Sequence, residues 1–202
     1  MNNIKSISNK LQRDGLESLY EIRDWISTNL EDYGGPKKRA KIKEIVGKEV
    51  TDLLRKRGAA DIINDGFTTG CGDVAIVFAT LARSKGMPVQ FIEAVQEDCL
   101  RELSLGSRHQ SMKGHVFLRV KIGGKWVLLD PMQKSADGKR PNIDFSDKWC
   151  NEFKPGGIIN EPESKQGRYI IYGIGLDSHD IGLRSFEDMR EKFLAFSRRI
   201  YP

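Results

Sequence analysis

No stretch of this chain approaches the run of about 18 apolar residues that a transmembrane helix requires. The N-terminus, "MNNIKSISNKLQRDGLESLYEIRDW", has no apolar centre to serve as an export signal. The sequence therefore predicts a cytoplasmic protein with no membrane partner. Cysteine is scarce: Cys71, Cys99 and Cys150 are an odd number and include no CxxC pair. That argues against a disulfide framework and against a zinc ribbon, leaving reduced thiols as the expectation. A zinc site built from Cys99, His109 and Cys150 would need unrelated loops to converge. The chain also lacks a glycine-rich phosphate loop, an internal repeat and a low-complexity segment. Neither a cofactor nor a metal is expected.

What is present is an ordinary globular composition: 202 residues, 39% hydrophobic and 30% charged. One α+β domain over 1–202 is expected, with an N-terminal helical cover at 1–58, a core at 59–174 and a closing helix at 185–200. The formal net charge is +5, with basic clusters in "KKRAKIK" at 37–43 and "RKR" at 55–57. These could be an electrostatic footprint for nucleic acid. Nearby acidic residues dilute them, and no aromatics are interleaved for base stacking. A solvated helix face is the preferred reading, and nucleic acid ranks last among partners.

Periodicity gives the elements. Residues 14–31 place Leu16, Leu19, Tyr20, Ile26 and Leu30 near one helical stripe, and 37–57 repeat the pattern up to Gly58. The run "VAIVFATLA" from Val74 to Ala82 is small or apolar on every side, so this helix is expected to be buried. Thr68 or Thr69 could cap its start, and Asp73 suits the positive end of its dipole. Beyond Pro88 the period becomes two. "VQFIEAV" reads as a strand, "GHVFLRVKI" and "KWVLLD" as a hairpin about Gly123-Gly124, and "RYIIYGI" as a further strand. A helix over 185–200, capped by Ser185, carries Phe186, Met189, Phe193 and Phe196 on one face. Cys99 and His109 fall in a polar loop, and Asp177, His179 and Asp180 in a turn.

Cys71 stands at the start of the buried helix. Unpaired N–H groups and the macrodipole favour a thiolate there, and Gly70 and Gly72 would give a substrate clearance. Taken alone, the position suits a small buried thiol equally well. The hairpin adds a second consideration. A two-residue turn at Gly123-Gly124 pairs Ile122 with Lys125 and, counting back, Phe117 with Asp130. His115 then lies on the face of Phe117, a diagonal neighbour of Asp130. A carboxylate on one imidazole nitrogen fixes the tautomer and leaves the other nitrogen to face a thiol.

These residues resemble the transglutaminase-like superfamily. "TTGCGDVAIVFATLARSKGMPVQFIEAV" and "GHVFLRVKIGGKWVLLDP" carry its cysteine at the head of a small-residue helix, its Ala-Arg-x-x-Gly-Ile-Pro-like exit at 81–89, its strand histidine and its Trp-x-x-x-Asp-Pro. The resemblance spans residues 66–132. It implies a papain-like fold in which N-terminal helices and a buried nucleophile helix pack on an antiparallel sheet. By position it makes Cys71 the nucleophile, His115 the general base and Asp130 its orienter. The implied reaction is acyl transfer through a thioester, hydrolysing or transferring the acyl group of an amide in a peptide or protein substrate. One oxyanion donor could be the Cys71 N–H, and a second could come from Asn64 or another upstream side chain. The alternative is a binding module that keeps the fold and holds a peptide or protein partner without turning it over. The arylamine acetyltransferases share the chain order, but their Arg-Gly-Gly before the cysteine is replaced here by "FTTG".

Overall fold

A computed structural model describes residues 2–34, 36–106, 113–132, 142–144, 147–160 and 167–202. The chain opens with α1 (Asn2–Asn29), whose Leu19, Ile22, Ile26 and Leu30 form a buried stripe at helical spacing. A short strand β1 (Glu31–Asp32) follows, then α2 (Pro36–Val46), α3 (Val50–Leu53) and α4 (Ala59–Asp65). The helix expected over 37–57 is therefore two helices. Gly47, at φ 66°, breaks it, and Ile45 is left exposed. Strand β2 (Phe67–Thr68) pairs parallel with β1 and leads into α5 (Cys71–Ser84).

The sheet is built from β3 (Val89–Gln96), β4 (Gly114–Ile122), β5 (Lys125–Asp130), β6 (Asn142–Asp144), β7 (Ile158–Ile159) and β8 (Tyr169–Gly175). The spatial order is β6-β5-β4-β3-β8-β7, with every neighbouring pair antiparallel. Between β3 and β4 lies α6 (Glu97–Ser104), and α7 (Phe186–Ile200) closes the chain. Ser185 caps α7 by accepting from the Asp188 N–H at 3.1 Å.

The hairpin has the register that two central glycines demand. Gly123 and Gly124 both have positive φ, and Ile122 faces Lys125 while Leu118 faces Leu129. Alternation then divides the sheet. Phe91, Val116, Leu118, Val120 and Leu129 pack with α1 and α5 in one core. Ile92, Ala94, Phe117, Leu128 and Ile171 form a second core on the opposite face. Val95, Leu100, Phe193 and Phe196 join α6 and α7 in a third. The expected α+β order holds, with helices first and an antiparallel sheet after them. Among the described residues no helix is long and apolar enough to cross a membrane.

Between β3 and β8 the register slips: Glu93 faces Gly173 and Ala94 faces Ile171, so Tyr172 is the extra residue of a β-bulge. Beside it the backbone of Gly173 is closely covered, and a Cβ there would overlap Ile181 Cγ2. Gly173→Ala is expected to lower the unfolding free energy by about 1–3 kcal/mol through overpacking, read as a shift in the urea midpoint.

Candidate active site

The head of α5 is anchored in an unexpected way. Its N-cap is Gly70, which has no side chain to offer, and neither Thr68 nor Thr69 caps the helix. Instead Asp73 reaches back. Its Oδ2 accepts from the Thr69 N–H and the Thr69 hydroxyl, each at 2.7 Å, and from the Arg57 guanidinium. Arg57 also bonds Asp65 at 2.8 Å and lies over the Phe67 ring at 4.5 Å from its centroid. A carboxylate in the first helical turn thus fixes the loop that carries Cys71.

Cys71 is half-buried, with Cys99 and Cys150 buried elsewhere. His115 and Asp130 lie on the sheet face opposite the one α5 covers, beside Phe117 and Leu128. His115 is the second residue of β4, so its ring meets Cys71 at the end of the strand, where the two side chains are close enough to hydrogen-bond. The His115 Nε2–H donates to Asp130 Oδ2 at 2.6 Å, leaving Nδ1 for the thiol side. Asp130 is fully buried, and its Oδ1 accepts from the Met132 N–H at 2.8 Å. The ring is further held by an edge contact with Phe117 at 4.9 Å and a tilted one with Tyr169 at 5.5 Å between centroids.

Burial works against a charge on His115, but the charge and hydrogen bond of Asp130, joined by Cys71, outweigh it. The imidazole pKa is held well above its ordinary 6.5. The shift favours the cationic form of the ring, which can stabilise a thiolate beside it.

Behind Cys71 lies a second buried network that sequence reasoning missed. Arg55 and the fully buried Glu93 form a two-pronged ion pair, with Nη2 to Oε2 at 2.9 Å and Nη1 to Oε1. The Tyr172 hydroxyl donates to Glu93 at 2.8 Å, and Ser178 Oγ links Arg55 and Glu93. The His179 Nε2–H holds the Arg55 carbonyl at 2.8 Å. Burial pulls against the Arg55 charge, but the Glu93 carboxylate beside it holds the guanidinium pKa above its ordinary value. "RKR" is thus not a solvated patch, since Arg55 and Arg57 are both buried. One signal was legible: a glutamate inside the otherwise apolar strand "VQFIEAV" needs a buried partner. Nothing in the sequence named Arg55 as that partner.

The two glycines flanking Cys71 differ. Gly70 adjoins open space, as a substrate approach requires. A Cβ on Gly72 would stand 3.2 Å from Arg55 Nη1, so this glycine makes room for the guanidinium instead. The expected second oxyanion donor, Asn64, is exposed on α4. Cys99 is on α6 rather than in a loop, and it packs in a different core from Cys150. His109 lies outside the described residues. Asp177 and Asp180 form the expected turn, the Asp180 N–H donating to Asp177 Oδ1 at 2.8 Å.

Cys71 opens onto a cavity of about 450 Å³. Its walls come from α3, α5, α7 and the Arg55 segment. A family model described as the transglutaminase-like superfamily matches residues 5–131, more than half of the chain. The chain belongs to the transglutaminase-like superfamily. The match ends before β8 and α7, which bring Tyr172 to the ion pair and Met189 to the cavity. One solved structure similar to this superfamily member is "a Putative Cysteine Protease from Cytophaga hutchinsonii", 16% identical, with a TM-score of 0.43. The similarity covers 87% of this chain and 45% of that one. Among curated proteins, none matches.

Proposed function

We propose that this transglutaminase-like chain is a cysteine-nucleophile hydrolase or acyltransferase acting on amide bonds of a peptide or protein. The observation that carries the reading is the His115–Asp130 hydrogen bond of 2.6 Å beside Cys71, which itself lines a cavity. In the proposed reaction the Cys71 thiolate attacks the amide carbonyl while the His115 imidazolium stands ready as acid. Collapse of the tetrahedral adduct breaks the C–N bond, and His115 gives its proton to the leaving amine. Water then attacks the thioester, His115 takes its proton, and the acid is released as the thiolate re-forms. An amine in place of water gives transfer instead of hydrolysis. Asp130 keeps the imidazole oriented throughout and stabilises its cationic form.

The test is alkylation by iodoacetamide across pH, read by mass at each cysteine. Cys71 is expected to react rapidly at about pH 6–7, where an ordinary thiol of pKa about 8.5 is slow. His115→Asn should remove that low-pH reactivity. Cys150, whose thiol burial pushes up, serves as an internal comparison. Cys71 reacting like a free thiol would reject the activated nucleophile and favour the binding module. The same pair sets a stability trend. With the His115 pKa raised on folding, its contribution is fully present below about 6.5 and lost as pH climbs through the raised value. Wild type should therefore lose part of its urea-midpoint advantage over Asp130→Asn across that rise.

A further inference from the structure

Apolar side chains line much of the cavity at Cys71, Leu54 beyond α3, Ile76 on α5, and Phe186 and Met189 on α7, with Thr51 and Thr69 as its uncharged polar members. Its two charged members are already paired within the protein. Arg55 is bonded to Glu93 and Ser178, and Asp73 to Arg57 and Thr69. A charged substrate group placed here would lose water and meet no free counter-charge. An uncharged aliphatic or aromatic group would instead bury apolar surface against four side chains. The cavity begins at Gly70, Cys71 and Gly72 themselves, so the group it receives is the one next to the attacked carbonyl.

Resting on the proposed nucleophile, we infer that this cavity is a specificity pocket selecting substrates with a bulky uncharged side chain at the residue whose carbonyl is attacked. Selection comes from both sides. Apolar contact favours leucine or phenylalanine, and the closed Arg55–Glu93 pair withholds the cation that would attract glutamate. Two of the walls, Phe186 and Met189, lie on α7, beyond the residues matched by the family model. The preference is therefore shared between Leu54 and Ile76, inside the matched residues, and the C-terminal helix.

The experiment compares labelling rates at Cys71 by N-acetyl aminoacyl chloromethyl ketones carrying Leu, Phe, Gly, Glu or Lys side chains. In each, the Sγ–CH2 bond forms as the C–Cl bond breaks and chloride leaves. Iodoacetamide, which has no side chain, is the reference. Leu and Phe reagents are expected to react about ten-fold or more faster than Gly, consistent with burial of one apolar side chain, with Glu and Lys no faster than Gly. Leu54→Asp, at a half-buried wall position, should reduce the Leu preference and raise Lys relative to Glu, with folding checked by urea midpoint. Equal rates for all five, a preference for Glu or Lys, or ratios unchanged in Leu54→Asp would overturn the pocket. The two readings fail separately. Rapid iodoacetamide reaction with flat side-chain ratios sinks only the pocket. Slow iodoacetamide reaction with the ratios intact sinks only the activated nucleophile, and no labelling by any reagent sinks both.

Discussion

Glu93→Ala is expected to lower the unfolding free energy by about 3–5 kcal/mol, although Glu93 is fully buried away from solvent. The loss does not come from the missing attraction alone. Removing the carboxylate leaves the Arg55 guanidinium, its side chain only 7% exposed, with no counter-charge. The Tyr172 hydroxyl and Ser178 Oγ lose their acceptor at the same moment. Replacing both charges, as in Arg55→Met/Glu93→Leu, should recover much of the loss, since it removes the uncompensated ion. Urea denaturation of the two variants decides the matter. A loss under about 1 kcal/mol for Glu93→Ala, or a double variant as unstable as the single, would show that the pair is not a unit.

The second large effect is on chemistry instead of stability. Cys71→Ala is expected to abolish cleavage of any acyl-coumarylamide the wild type turns over, and Asp130→Asn to reduce kcat about 10²–10⁴-fold. The substituted side chain can still fill the space, but its amide no longer fixes the Nε2–H tautomer that leaves Nδ1 facing Cys71. KM should change much less than kcat, because Asp130 is fully buried and does not line the cavity. Retention of kcat within about ten-fold in Asp130→Asn would remove Asp130 from the mechanism. Two carboxylates buried to the same degree thus differ in signature. Glu93 is read in the folding equilibrium alone, and Asp130 in the rate together with the pH-dependent part of stability.

The sequence was most legible where one short-range rule governed. Two adjacent glycines fixed the hairpin, and the hairpin fixed the register that puts His115 and Asp130 on one face. Periodicity located α5, β3, β8 and α7 to within about a turn or a few residues. It was weakest where local propensity met a tertiary demand. The basic helix split at Gly47, where the backbone enters the left-handed region. The short helix α6 was hidden in a segment that looks polar, because only its Cys99 and Leu100 are buried. The threonines before Cys71 looked like caps, yet no side chain caps α5, and Asp73 in its first turn instead accepts from Thr69 and Arg57.

By itself, then, the sequence determined the buried helix that starts at Cys71, the strand position of His115, the strand-end position of Asp130 and the α+β class, since each depends on spacing within a single element or hairpin. The tertiary structure decided what surrounds them. Arg55 meets Glu93 across 38 positions of chain, and Ser178 closes the cluster from 123 positions beyond Arg55. Those separations carry no period or turn signal. Burial provides the selection, because a charge enclosed among α3, α5, β3 and β8 must find its partner wherever the fold brings one.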